Sequence, residues 1–135
     1  MRTIKFRGRS LHKQKDPDGI FQYVMLYGNL IHRGGDCYYI AFYEADYTGQ
    51  ARLSTYLVDA DTIGEFTGVQ DCNGCDVYEG DIVELGDGQI IGEVVFNDGS
   101  FIIKAQYLNC WFTLTSNPMK VIGNIHQKGK CNDTD

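Results

Sequence analysis

The chain has 135 residues, 43% of them hydrophobic and 22% charged, and its formal net charge is −6. Length and composition predict a single globular domain over 1–135 that folds without bound metal. The negative charge disfavours general binding to a phosphate backbone, and no apolar run approaches the roughly 20 residues of a membrane-spanning helix. Sixteen Gly against two Pro, with 13% aromatic residues, favour strands and turns.

The N-terminal segment is basic and is predicted to begin with a strand. Residues 1–15 contain six Lys or Arg residues and no acid. Ile4 and Phe6 alternate with basic residues. This alternation predicts a half-buried strand in which Lys5 and Arg7 face water. The segment lacks the apolar stretch of a signal peptide, so we expect a protein of the bacterial cytosol whose five cysteines are free thiols.

The middle of the chain is predicted to form strands separated by polar turns. Residues 20–27 form the first strand, and the Gly-Asn pair at 28–29 would close a hairpin. The aromatic segment 37–47 is interpreted as a strand, although its alanines also permit a helical turn. Residues 51–58 alternate regularly and predict a further strand. Residues 59–62 are expected to form a loop or one helical turn capped by an Asp side chain.

The second half of the chain has the densest turn signals. Asn-Gly and Asp-Gly pairs tolerate the positive φ angles of tight hairpins, which predicts antiparallel strands in series. The residues assigned to turn or structural roles are Gly64, Asn73, Gly74, Gly80, Asp98 and Gly99. Strands are predicted over 63–67, 77–85, 89–96, 101–106 and 120–125, with 107–114 as a buried strand or short helix.

These elements predict a mainly β fold, with α-helix as a minor component at most. We expect a small bent sheet or a partly open SH3-like barrel over residues 77–125, to which the N-terminal strand is added. Residues 129–135 are expected to form a frayed tail.

Five short motifs resemble one known family. They are IKFRG from Ile4, TIGEFTG from Thr62, a DxNGxxVYEGDIV pattern from Asp71, GEVVFNDGSF from Gly92 and VIGNI from Val121. Their order and spacing are similar to those of the YopX family of phage and prophage proteins, best matched over 62–125. The resemblance implies a β-rich cytosolic accessory protein and brings with it no catalytic residue, cofactor or substrate.

Cys72 and Cys75 have the spacing of half a zinc site, on either side of a tight turn. A structural zinc site normally has four ligands, and the sequence contains no second pair at this spacing. The family pattern also has no cysteine at these two positions. We therefore predict no metal and no cofactor, with Cys72 and Cys75 as the weak candidates for ligands.

Glu79 and Asp81 could be interpreted as a carboxylate pair for acid–base chemistry. No nucleophile motif and no glycine-rich phosphate loop accompanies them. The simpler interpretation is a turn before a strand, so we predict that the protein is not an enzyme.

Charge is distributed unevenly along the chain. Residues 53–103 contain eleven acidic residues and no Lys or Arg, whereas the charged residues within 1–15 are all Lys or Arg. We predict that the basic segment docks on the acidic one, within a chain or between chains. The residues assigned to this interaction are Arg2, Lys5, Arg7 and Arg9 with Glu79, Asp81 and Glu84.

Two functions stay open on the sequence alone. The first is a non-catalytic protein that acts through contacts with phage or host proteins and through homo-oligomers, without a membrane. The alternative is a phage protein that binds nucleic acid through its basic N-terminal segment, by charge and by base stacking.

Overall fold

The computed structural model describes residues 2–86, 88–108, 110–115 and 119–126. The predicted mainly β fold is confirmed, because 61% of the structure is strand and 2% is helix. The chain divides into two compact units, Ile4–Glu65 and a second unit that begins at Phe66 and includes the first three residues. We call them the N-terminal unit and the C-terminal unit and describe each by itself. The single domain over 1–135 stays a prediction, and the expected tail at 129–135 lies outside the described residues.

The elements of the N-terminal unit are β1 (Phe6–Arg9), β2 (Gln14–Lys15), β3 (Phe21–Gln22), β4 (Met25–Gly34), β5 (Cys37–Ala45), β6 (Ala51–Val58) and the 3-10 turn Ala60–Thr62. They form an antiparallel sheet with the strand order β6-β5-β4-β1 and a small separate hairpin, β2-β3. The 3-10 turn that follows β6 is capped by the side chain of Asp59, which accepts the N–H of Asp61, as predicted.

The hairpin of β5 and β6 follows directly from the sequence. Asp46 begins its turn, and its Oδ1 accepts the N–H groups of Thr48 at 2.8 Å and Gln50 at 3.1 Å. Gly49 takes the positive φ of 85° that the turn requires. The two strands then pair without a bulge from Ala45–Ala51 to Tyr38–Val58. The predicted strand over 51–58 is confirmed.

The core of the N-terminal unit forms where strands approach closely. Ile40 and Val58 are 0% and 1% exposed. Gly28 lies within β4 opposite Phe6, so the hairpin predicted at 28–29 is wrong. A Cβ at Gly28 would clash with the carbonyl oxygen of Ala41. The glycine is therefore needed for close strand packing and not for a turn.

The predicted burial of the N-terminal strand is wrong at Arg7 and at Ile4. Arg7 is 3% exposed, whereas Ile4 is 57% exposed and lies before the strand begins. The reason is that β1 is an interior strand. Arg7 pairs with Tyr27 of β4 on one side and with Gly64 on the other.

The second half of the chain forms β7 (Gly64–Gln70), β8 (Asp76–Tyr78), β9 (Asp81–Leu85), β10 (Ile90–Asn97), β11 (Ser100–Ala105), β12 (Trp111–Thr113) and β13 (Lys120–Asn124). The C-terminal unit is built on a five-stranded antiparallel sheet with the order β12-β11-β10-β9-β13. β9 to β12 form a meander, and β13 returns to pair with β9, consistent with the predicted SH3-like strands. The predicted N-terminal strand exists as β1, but it pairs with β4 and with the first two residues of β7, which belong to the N-terminal unit.

Two turns fix the register of this unit. Asp98 and Gly99, with φ of 50° and 84°, join β10 to β11 in a two-residue hairpin. Gly80, with φ of 93°, divides the predicted strand 77–85 into β8 and β9. The core is apolar and contains Val77, Val83, Val94, Ile103, Met119 and Val121.

None of the described helical segments is both long enough and apolar enough to cross a membrane.

Candidate protein-binding surface

One face of the β4-β5-β6 sheet presents exposed apolar side chains. Ile31 pairs with Tyr39, and Tyr43 pairs with Leu53 on the same face, because cross-strand partners point to the same side of a sheet. Ile31, Tyr43 and Leu53 are 40%, 73% and 55% exposed. We call the side chains of Ile31, Tyr39, Tyr43, Leu53 and Leu57 the apolar face.

The apolar face is free of charge across the paired part of the sheet. The remaining cross-strand partners on this side are small or polar and neutral. They are Asn29, Ala41, Ala45, Ala51 and Thr55. A neutral apolar surface of this kind gains free energy when another protein covers it.

The outer edge of β6 borders this face and is partly open. At one end, the carbonyl of Leu57 accepts the N–H of Leu11 at 2.9 Å. Because alternate residues of a strand direct their N–H and C=O groups to the same edge, Ala51, Leu53 and Thr55 also point outward. In the described part of the chain, none of these three residues takes part in a backbone hydrogen bond on that side.

β6 lacks the features that usually protect an edge strand. It contains no proline, its register with β5 has no bulge, and Arg52 is its only charged residue. An eight-residue strand with these properties is competent to accept another strand.

A polar cluster occupies the opposite face of the β5-β6 hairpin. The hydroxyl of Tyr56 donates to Oε2 of Glu44 at 3.0 Å. Hydrogen bonds from Ser54 and then Tyr56 lower the pKa of Glu44, and Arg52 lowers it further. Burial and the neighbouring carboxylate raise the pKa of Tyr56. Glu44 is therefore a carboxylate and Tyr56 a neutral phenol at neutral pH.

The C-terminal unit has a separate surface groove of about 420 Å³ on the outer side of its five-stranded sheet. Tyr107 borders it, is 94% exposed and has a φ of 65°. Lys104 lies in the wall with its Nζ 5.6 Å from the ring centre of Trp111. Glu93 is its cross-strand neighbour. The groove has apolar walls and one charge of each sign, so its chemistry does not select one class of ligand.

The structure places the four predicted basic residues in different environments. Arg2 is exposed and Lys5 is half-buried. Arg7 is buried, and Arg9 forms an ion pair with Asp59 at 3.3 Å between Nη2 and Oδ2. The four side chains therefore do not form one exposed basic patch.

The three predicted acidic partners also differ. Asp81 is 2% exposed, and its Oδ2 accepts the N–H of Tyr78 at 2.8 Å. Glu79 and Glu84 are half-buried. Docking of the basic residues on these carboxylates stays a prediction.

Sequence reasoning missed that Asp71 is a buried, structural carboxylate. Asp71 is 5% exposed, and its Oδ1 accepts the N–H groups of Asn73 and Cys75 at 2.9 Å. Its Oδ2 accepts the N–H of Val121, also at 2.9 Å. The signal was present, because an Asp two residues before Asn-Gly is typical of a turn closed by its own carboxylate. Gly74 takes the positive φ of 82°.

The two candidate zinc ligands differ in their surroundings. Cys72 is exposed and is a free thiol, whereas Cys75 is 2% exposed and disulfide-bonded. The prediction that all five thiols are free is therefore wrong at Cys75. Within the described ranges, no group of three or more His, Cys, Asp or Glu side chains is placed to hold a metal ion.

These features define a class: an all-β protein with an exposed, uncharged sheet face next to an open strand edge. The chain belongs to the YopX protein family, whose model matches residues 22–130. The predicted resemblance is confirmed, and membership points to a phage-type protein. The match includes β4, β5 and β6, which form the apolar face. No curated protein matches the chain.

Proposed function

We propose that the protein is a phage or prophage accessory protein that acts in the bacterial host cytosol through protein–protein contacts, including contacts with itself. The observation that carries the proposal is the exposure of Ile31, Tyr43 and Leu53 together on an uncharged face. Full burial of a fully exposed side chain of this kind is worth about 1.5–3 kcal/mol, and because these three are 40–73% exposed, a partner that covers them gains roughly half of that from each. The proposal assigns no catalytic step and no cofactor.

The alternative, nucleic-acid binding through the basic N-terminal segment, receives less support. Arg7 is buried and Arg9 is paired with Asp59, so two of the four proposed cations are already engaged in the fold. Arg2 and Lys5 alone offer few contacts with a phosphate backbone.

The test compares two Tyr→Lys variants of the tagged protein in phage-infected cells. Tyr43→Lys puts a charge in the centre of the apolar face. Tyr47→Lys makes the same change at a residue that is 101% exposed in the β5-β6 turn. We expect the parent and Tyr47→Lys to retain the same protein partners after nuclease treatment, and Tyr43→Lys to lose at least one.

Equal retention by all three proteins would overturn the assignment of the face. Partners that disappear on nuclease treatment of the parent would instead support nucleic-acid binding. Circular dichroism of the purified variants verifies that each retains the β fold.

A further inference from the structure

We propose that β6 pairs antiparallel with β6 of a second copy of the chain, about a two-fold axis at Leu53. The inference rests on the proposed function, because it names the second copy as one protein that this surface binds. It goes further by assigning the strand, the register and the residues that meet.

The register follows from which part of the edge is open. The backbone of Leu11 already occupies the edge at Leu57. The outward-facing residues that remain are Ala51, Leu53 and Thr55, and their midpoint is Leu53. A two-fold axis at Leu53 pairs it with Leu53 of the second copy and pairs each Ala51 with the opposite Thr55.

This register satisfies every open backbone group of the three residues. In an antiparallel sheet, residues that face each other across a narrow pair exchange both N–H···O=C bonds. In each copy, Ala51, Leu53 and Thr55 each present one N–H donor and one C=O acceptor at the edge. Every donor of one copy then meets an acceptor of the other. The open edge of β6 is therefore complementary to the same edge of a second copy.

The same register joins the two apolar faces. A two-fold axis perpendicular to the sheet places the same side of both sheets on one surface. The Leu53 side chains then meet at the centre, flanked on each side by Tyr43 of the neighbouring strand. Direct cross-strand apolar pairs of this kind stabilise the pairing of two strands.

On the opposite side of the sheet, the charges are complementary. Arg52 comes opposite Ser54 of the second copy. Ser54 is the residue whose hydroxyl binds Glu44, so the guanidinium approaches that carboxylate. By symmetry the contact occurs twice, and each pairs a positive group with a negative one.

The test uses substitutions at Thr55, whose side chain is exposed and whose N–H points outward. Proline is tolerated on an edge strand where the N–H faces solvent, so Thr55→Pro keeps the pairing with β5 but removes a donor and adds a ring at the interface. Thr55→Val keeps the backbone donor and the shape of the side chain.

Sedimentation equilibrium of the purified proteins should show a parent dimer, a Thr55→Val dimer and a Thr55→Pro monomer. Circular dichroism should show the same β content for all three. A Thr55→Pro variant that dimerises like the parent would overturn the pairing, as would a parent that is monomeric up to about millimolar concentration.

A second variant keeps the result decisive if Thr55→Pro does not fold. Leu53→Lys places two ammonium groups against each other at the axis and should also give a monomer. If the strand pairing is wrong but Tyr43→Lys still loses protein partners in the infected cells, the proposed function stands. If Tyr43→Lys retains the same protein partners as the parent, the proposed function itself is wrong.

Discussion

At the scale of single residues, Asp71 shows how one carboxylate organises several parts of the C-terminal unit. It closes the turn at Asn73-Gly74 and also binds the backbone of Val121 in the last strand. The sequence marks Asp71 as a turn residue, but it cannot reveal the bond to Val121, fifty residues away. A carboxylate that is satisfied by backbone N–H groups is structural and needs no cation.

We predict that Asp71→Asn destabilises the protein. The amide that replaces one carboxylate oxygen presents a donor to a backbone donor, which leaves a buried N–H without an acceptor. We expect a loss of about 1–3 kcal/mol in the free energy of unfolding, measured by urea denaturation.

Asp98→Asn is the matched control, because it removes the same charge from an exposed turn where Asn also accepts a positive φ. The assignment is contradicted if the two variants have the same stability.

The second prediction at this scale concerns pH. Because hydrogen bonds from Ser54 and Tyr56 hold the pKa of Glu44 below its ordinary value, the folded state binds this proton less tightly than the unfolded state. The stabilisation is therefore present above the ordinary carboxyl pKa and is lost as pH falls through the lowered one. Tyr56→Phe removes one of the donors.

The melting temperature of Tyr56→Phe should lie below that of the parent at about pH 7, and the gap should narrow at about pH 3. Thermal melts at both values provide the measurement. A difference in melting temperature that is the same at both pH values would show that the contribution of the hydrogen bond does not depend on the charge of Glu44.

At the scale of elements, prediction succeeded where a local pattern decides the structure. β6 was predicted at its observed bounds because its alternation and the turn signals around it agree. The burial of Arg7 in β1 was not predicted, because β1 is paired on both sides and no local sequence pattern shows how many neighbouring strands a strand has. The open edge of β6 was missed for the same reason, since an edge is a property of the sheet and not of the strand.

Gly28 provides a test at this scale. The sequence predicted it in a hairpin turn, whereas in the structure it lies within β4 and allows the backbone of Ala41 to approach closely. Gly28→Ala should destabilise the N-terminal unit by about 1–3 kcal/mol, since the added methyl group would overlap the backbone of Ala41. Asn29→Ala, at the exposed next residue of the strand, serves as the control. Chemical denaturation of both variants is the measurement, and a Gly28→Ala variant as stable as the Asn29→Ala control would contradict the close approach to Ala41.

At the scale of the whole molecule, composition predicted the fold class but not the proposed binding surface. The apolar face draws its side chains from three strands that are separated by turns, so no single segment of the sequence displays it. The charge pattern along the chain favoured the basic N-terminal segment as a binding site. The fold instead uses Arg7 and Arg9 internally, because strand pairing decides which side chains reach solvent.

We propose that the apolar face and the edge of β6 form the protein-binding surface. Amide hydrogen exchange of the parent at low and high concentration tests it most directly, because bound backbone groups exchange more slowly. Protection should rise with concentration at the N–H groups of Leu53 and Thr55, and the exposed amides around the groove at Tyr107 should show no such rise. Exchange at Leu53 and Thr55 that is independent of concentration, in a protein that self-associates, would contradict it.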